Sequence, residues 1–255
     1  MRLRATLTRV LAILGMAAVA WTAAPSQPAR AADGLTDAQA DAVRALVRET
    51  LLENPEIIAM ALEVLQDKQA QEEAARARAA IQENRDALTA ADAADVLGNP
   101  SGDVTVVEFS DYQCGYCKRV FPDLMRAVES DGNVRVVIRE LPILGPESVM
   151  AARAAVASRA QGKYPEFHRA LMAMRGGVSE AAVMQVAAEV GLDVEQLRVD
   201  MADPTIDETF SQNVKLARAL GITGTPAFVI GGELAPGAVP LERLKAMIEA
   251  ARAEG

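Results

Sequence analysis

Along residues 35 to 88, apolar side chains recur at helical spacing, and no glycine interrupts that stretch. Val43, Leu46, Val47 and Leu51 fall at i, i+3, i+4 and i+8, which predicts an amphipathic helix. Asn54-Pro55 reads as an N-cap followed by proline at the first position of a second helix. Ile57, Ile58, Ala61, Leu62 and Leu65 give that helix its apolar side. From Gln66 the stripe thins into QDKQAQEEAARARAAIQENRD, a good helix by propensity with little to bury alone. Two such helices need a partner, either the main domain or the same helices of other copies. The second choice makes residues 32–92 an oligomerisation stalk.

After the turn signal Asn99-Pro100-Ser101-Gly102 the rhythm changes to that of a sheet. Val104 to Phe109 is a β-branched strand, and Asn133 to Leu141 is a second. Between them a helix runs from near Cys114 to Val128, with Pro122 a candidate kink, giving a βαβ unit. Residues 146–220 then read as four or five alanine-rich helices broken at glycines and Pro204. That exceeds one crossover connection and predicts a helical subdomain inserted into an α/β fold. Ala227 to Ile230, a Gly231-Gly232 hairpin and a short return strand follow. A closing helix from about Leu241 to Ala251 turns Leu244, Met247 and Ile248 inward. The expected domain is residues 93–255.

The N-terminus reads differently. Arg2, Arg4 and Arg9 precede an apolar run from Val10 to Trp21, and Ala29-Arg30-Ala31 is a small-x-small pattern. The run is too short for a stable membrane anchor, so residues 1–31 are expected to be a signal peptide cut near Ala31. An uncleaved interfacial anchor is the alternative. Losing these residues, which hold four arginines and no acid, moves the formal charge from −9 to about −13. An acidic, exported, aromatic-poor chain argues against nucleic acid or anionic membrane as a partner.

Export makes the cysteines informative. Cys114 and Cys117, in CGYC, are the only two. A loop this short removes little entropy from the unfolded chain and is a poor staple. At a helix N-terminus, however, residues i and i+3 lie one turn apart on one side, within bonding range. There the unpaired N–H groups and the helix dipole favour an anion at Cys114 and lower its pKa. Cys114 is expected to be an exposed nucleophile, and Cys117 the buried resolving thiol.

Other chemistries are weaker. Tetrahedral zinc needs four ligands, and the chain offers two cysteines and one histidine. His168 reads as a surface or partly buried helix residue rather than a ligand or base. Copper(I) held by the two thiolates with Met125, Met172 or Met174 is the rival reading, although methionines at helical spacing usually fill cores. Glu108, inside an apolar strand, either points to solvent by alternation or is buried as a proton acceptor serving Cys117. Thr225-Pro226 precedes a strand; an X-Pro there can be cis, and its backbone edge can take an extended peptide by strand addition.

EFSDYQCGYCK (Glu108 to Lys118), RELPILG (Arg139 to Gly145) and GTPAF (Gly224 to Phe228) resemble DsbA-like thiol–disulfide oxidoreductases of the thioredoxin superfamily. The resemblance covers about residues 96–253. It implies a thioredoxin fold with an inserted helical subdomain, no cofactor, Cys114 as nucleophile and Cys117 as resolving thiol. It also implies Pro226 as a cis-proline preceded by Thr225, and Glu108 as the buried acid. The N-terminal helices with ENPEI resemble the stalk of the suppressor-of-copper-sensitivity C (ScsC) type, a branch known for trimeric isomerases. The strongly oxidising members carry Pro-His between the cysteines, where this chain has Gly115-Tyr116. Without that histidine a more reducing, isomerase-like poise is expected, although an oxidase is the alternative. The implied setting is the periplasm, with cysteine-containing exported clients and a membrane-bound thiol redox partner.

Overall fold

The computed structural model describes residues 34–254, so the expected signal peptide lies outside the described residues. The chain divides between Ala61 and Leu62 into two compact units.

In the first unit, α1 (Asp37–Glu53) opens with a capping box between Thr36 and Gln39, and none of its residues is buried. α2 (Glu56–Glu83) begins here, and its residues from Leu62 onward belong to the second unit. Asn54 does not act as the expected N-cap of α2. Its Nδ2 instead donates to the Thr50 carbonyl at 2.9 Å and closes the C-terminus of α1.

The second unit is built on a five-stranded sheet in the order β1-β3-β2-β4-β5. β2 (Val104–Ser110) and β3 (Val134–Glu140) pair in parallel, joined by α4 (Gly115–Asp131). β4 (Ala227–Ile230) pairs antiparallel with β2, and β5 (Glu233–Pro236) with β4. β1 (Leu97–Gly98) adds an antiparallel edge to β3 that the turn-rich sequence did not announce. Gly231 makes the β4–β5 turn at φ 59, where a Cβ would also stand 2.8 Å from Ala251 Cβ.

Between β3 and β4 lie α5 (Pro146–Ala157), α6 (Tyr164–Ala173), α7 (Glu180–Glu189), α8 (Val194–Asp200) and α9 (Thr205–Ala219). They form the expected inserted helical block. α10 (Leu241–Glu254) closes the unit with Leu244, Met247 and Ile248 buried. Pro122 sits inside α4 without ending it.

Both faces of the sheet are covered, which explains why β2 does not alternate between apolar and polar residues. One core holds Val104, Val106, Val136 and Ile138 with Leu124 of α4 and Leu244 of α10. The opposite core holds Val107, Phe109 and Val137 with Leu216 of α9. Ile81, at the end of α2, and Leu88, on α3 (Arg85–Thr89), belong to that second core. The charged tail of α2 therefore has something to bury after all. Arg139 fixes α3 by donating to the carbonyls of Ala87, Leu88 and Ala90 at 2.6 to 3.2 Å, filling the acceptors left open at its C-terminus.

Candidate active site

β2 ends at Ser110, and the turn that follows delivers Cys114 to the start of α4. Cys114 is the N-cap of that helix, with extended backbone, and its Sγ accepts from the Cys117 amide at 3.3 Å. Both cysteines are free thiols in this structure. Hydrogen bonding from Cys117 lowers the Cys114 pKa from 9.0 to about 5. Thr225 and the backbone amides of Cys117 and Tyr116 act the same way, against the opposing effect of burial. Cys117 moves the other way: its bond to Cys114, its burial and the nearby Glu108 all hold its proton on. One sulfur is thus a ready thiolate and the other a reluctant thiol.

The expectation of an exposed Cys114 needs correcting. It is 5 % accessible, against 0 % for Cys117, because the Thr225 loop closes over it. The Thr225–Pro226 peptide is cis, and the Thr225 carbonyl accepts from the Cys114 thiol at 3.2 Å. Gly115 is exposed, and Tyr116 is 59 % accessible, with the Arg119 guanidinium 4.9 Å over its ring. The structure therefore brings Cys114, Cys117, Gly115, Tyr116, Thr225 and Pro226 together around one sulfur pair.

Residues 105–249, more than half of the chain, match the DSBA-like thioredoxin domain family. The chain belongs to the DsbA-like thioredoxin family. Residues 39–72 match the N-terminal domain of the copper resistance protein ScsC. A thioredoxin-like oxidoreductase from Silicibacter pomeroyi is 50% identical with a TM-score of 0.64, over 67% of this chain and 98% of that one. Proteus mirabilis ScsC in a transitional conformation is 34% identical with a TM-score of 0.63, over 87% of this chain and all of that one. The Na(+)/H(+) antiporter NhaA 3 of Salinispora tropica is 32% identical over 61% of this chain. The chain spans about a quarter of the length of such curated relatives, 24% in that case. Among the described residues no helix is long and apolar enough to cross a membrane.

Beneath the cysteines of this DsbA-like domain lies Glu108, fully buried rather than turned to solvent, because the sheet is covered on both sides. Ser110 Oγ donates to its Oε1 at 3.0 Å, and its Oε2 has no protein partner. Burial raises its pKa from 4.5 to about 8, with the charges of Glu140 and Cys114 adding and the Ser110 bond opposing. A carboxylate held this way has a high enough proton affinity to accept a proton from a thiol.

Sequence reasoning missed two buried acids of this site. Asp111 Oδ1 accepts from the Gln113 amide at 2.8 Å and Ser148 Oγ at 2.7 Å. Its Oδ2 accepts from the amides of Ile143 and Leu144 at 2.9 and 3.1 Å. Asp111 thereby clamps the catalytic turn to the loop after β3. Glu140 Oε1 accepts from the phenols of Tyr112 at 2.7 Å and Tyr164 at 2.8 Å. Burial raises its pKa to about 7, with the two phenols and Arg159 opposing. His168, also missed as a core residue, is 0 % accessible, and its Nδ1 lies 2.7 Å from the Tyr112 oxygen. Tyr112 has one proton and directs it at Glu140, so His168 donates from Nδ1 as a neutral imidazole. Burial holds its pKa down to about 3. The signal that flags Glu108, an acid inside an apolar strand, is equally present for Glu140 in VRVVIRE. Met125 and Met172 are core residues, and Met174 packs at the core edge.

Proposed function

We propose that the protein is an exported thiol–disulfide oxidoreductase that reshuffles disulfides in other exported proteins. The observation that carries this reading is the asymmetric sulfur pair. Cys114 caps α4 as a low-pKa thiol under the Thr225 carbonyl, and Cys117 waits behind it as a buried thiol. The Cys114 thiolate attacks a client disulfide; one client sulfur leaves and the other stays bound to Cys114. Cys117 then loses its proton to Glu108 and attacks Cys114, releasing the client with its thiol free. In isomerisation a client thiol performs that release instead, and the pair returns reduced. The Thr225 backbone beside Cys114 is the edge on which an extended client segment is held.

Two features favour isomerase or reductase over oxidase. Gly115-Tyr116 puts no histidine beside the thiolate, and threonine precedes the cis-proline. The N-terminal match to ScsC supports the same branch and a periplasmic setting. Val43, Leu46 and Val47 of α1 and Ile57 and Ile58 of α2 are exposed. Such a surface supports residues 32–92 as a stalk joining copies, a trimer as in the branch it resembles. Several sites on one assembly hold a client for repeated attack. A membrane-bound donor keeps the pair reduced.

Refolding of scrambled ribonuclease by the mature chain and by Cys114→Ser tests the reading. Recovery by the first alone supports it. No recovery by either, with fast oxidation of a reduced client, establishes the oxidase instead. Stoichiometric copper(I) binding with no exchange activity establishes the metal-binding rival.

A further inference from the structure

Two carboxylates lie buried at the C-terminal ends of β2 and β3, on one face of the sheet. The parallel register sets Glu108 beside Ile138 and Ser110 beside Glu140, so Glu108 and Glu140 sit diagonally across the strand pair. With strands about 4.8 Å apart and a rise of about 3.3 Å per residue, an offset of two residues puts the two backbones about 8 Å apart. Both are 0 % accessible, and each leaves one oxygen without a protein partner. Their surroundings differ. Glu108 has one hydroxyl donor, Ser110, and faces the thiols of Cys114 and Cys117. Glu140 has two phenol donors, Tyr112 from the catalytic turn and Tyr164 from α6, with the Arg159 guanidinium 4.7 Å over the Tyr164 ring. Asp111 is the other acid near Glu140, and His168 reaches it only through the Tyr112 oxygen. Asn213 of α9 holds the Glu140 backbone carbonyl at 3.0 Å.

Hydrogen bonds to a carboxylate favour its charged form, and like charges in a shared low-dielectric site disfavour each other. Two phenols and a guanidinium against one hydroxyl place the negative charge on Glu140 first. We propose that Glu140 is a positioning residue: its carboxylate, held by Tyr112 and Tyr164, keeps Glu108 protonated and so sets when Cys117 can lose its proton. This rests on the reading of Glu108 as the base for Cys117. In the step concerned, the Glu108 carboxylate takes the Cys117 proton and Cys117 Sγ attacks Cys114 Sγ. The Cys114–client bond breaks as the Cys114–Cys117 bond forms, and the client sulfur leaves with the electron pair. The client is reduced and the cysteine pair oxidised, so no outside oxidant is needed. The helical subdomain, which supplies Tyr164 and His168, thereby acts on the redox chemistry without touching the cysteines.

Removing a charge about 10 Å away at an effective dielectric of about 20 changes proton affinity roughly tenfold. Glu140→Gln therefore makes Glu108 ionise at lower pH and become a weaker base. With a Brønsted dependence near one half, resolution slows about threefold near pH 9, where Glu140 is charged, and changes little near pH 6, where Glu140 is itself mostly protonated. The measurement is release of the second glutathione after reduced full-length protein meets glutathione disulfide, followed from about pH 5.5 to about pH 9. Tyr164→Phe weakens the hold on the Glu140 charge and shifts the profile in the same direction by less. Glu108→Gln separates the two claims. If it leaves the profile untouched, Glu108 is not the base and the underlying reading fails. If it abolishes the pH-dependent step while Glu140→Gln and Tyr164→Phe leave the profile in place, or slow it equally at every pH, Glu140 is structural and the proposal is overturned. Profiles that coincide near pH 6 and separate at higher pH, with the Glu140→Gln protein slower near pH 9, are the result expected.

Discussion

Replacing Asp111 by alanine tests how the catalytic turn is held. Its carboxylate accepts four bonds, from Gln113 N, Ser148 Oγ, Ile143 N and Leu144 N, and the residue is 1 % accessible. Ile143 and Leu144 are 46% and 50% accessible, so water replaces part of what their amides lose. Ser148 is 0 % accessible, and its hydroxyl is stranded. One stranded buried donor costs about 1–3 kcal/mol and three lost bonds about 1 kcal/mol each, giving about 4–6 kcal/mol in all. For a domain of this size that lowers Tm by roughly 8–24 °C. Asp111→Asn is the informative companion: its oxygen still accepts, but its NH2 meets two amide donors. A loss of about 2 kcal/mol is expected, because only half of the bonds survive. Urea unfolding of the reduced protein, followed by far-ultraviolet circular dichroism, gives both values at constant m. If Asp111→Ala loses less than about 1.5 kcal/mol, or Asp111→Asn is neutral, Asp111 is not the clamp of the turn.

Other expectations follow from the same geometry. The rate of Cys114 alkylation by iodoacetamide should rise to half its plateau near pH 5, as its pKa of about 5 requires, and Cys114→Ser should abolish it. A plateau reached only near pH 9 would refute the assignment. His168 and the two acids act on stability with opposite signs. A histidine held at about 3 contributes stability that is present above pH 6.5 and lost as pH falls toward 3. Glu108 and Glu140, raised to about 8 and about 7, contribute stability that is present below pH 4.5 and lost as pH rises through those values. Glu108→Gln should therefore flatten the alkaline side of the stability profile and leave the acid side alone; an unchanged alkaline side counts against a buried Glu108. Arg139→Gln should free the C-terminal carbonyls of α3, cost about 1–3 kcal/mol and open residues 84–92 to limited proteolysis. Unaltered cleavage would show that burial of Leu88 alone holds α3.

What was readable in the sequence was local. CGYC after VTVVEF announces strand, turn and helix within fourteen residues of chain, Val104 to Cys117, and the i, i+3 spacing needs no distant information. Leu244, Met247 and Ile248 likewise declare an inward face by period alone. The burial of Glu108 was not readable from β2, because alternation cannot show that both faces are covered: Glu108 shares the face of Val106, under α4 and α10, while α3 and α9 cover the face of Val107 and Phe109. The Tyr112–His168 contact joins residues 56 apart, and Ser148 to Asp111 spans 37, distances at which no periodicity carries information. β1 is two residues long, too short for any alternation to show.

The near-closure of Cys114 has a consequence for survival under oxidative stress. A thiolate at neutral pH is the form that peroxide attacks, and each further oxidation beyond the sulfenic acid is hard to reverse. Cys114 is only 5 % accessible, and Cys117 stands one helical turn away to convert a sulfenic acid into a disulfide at once. The arrangement that makes the pair reactive toward clients therefore also returns its own oxidative lesion to the working cycle.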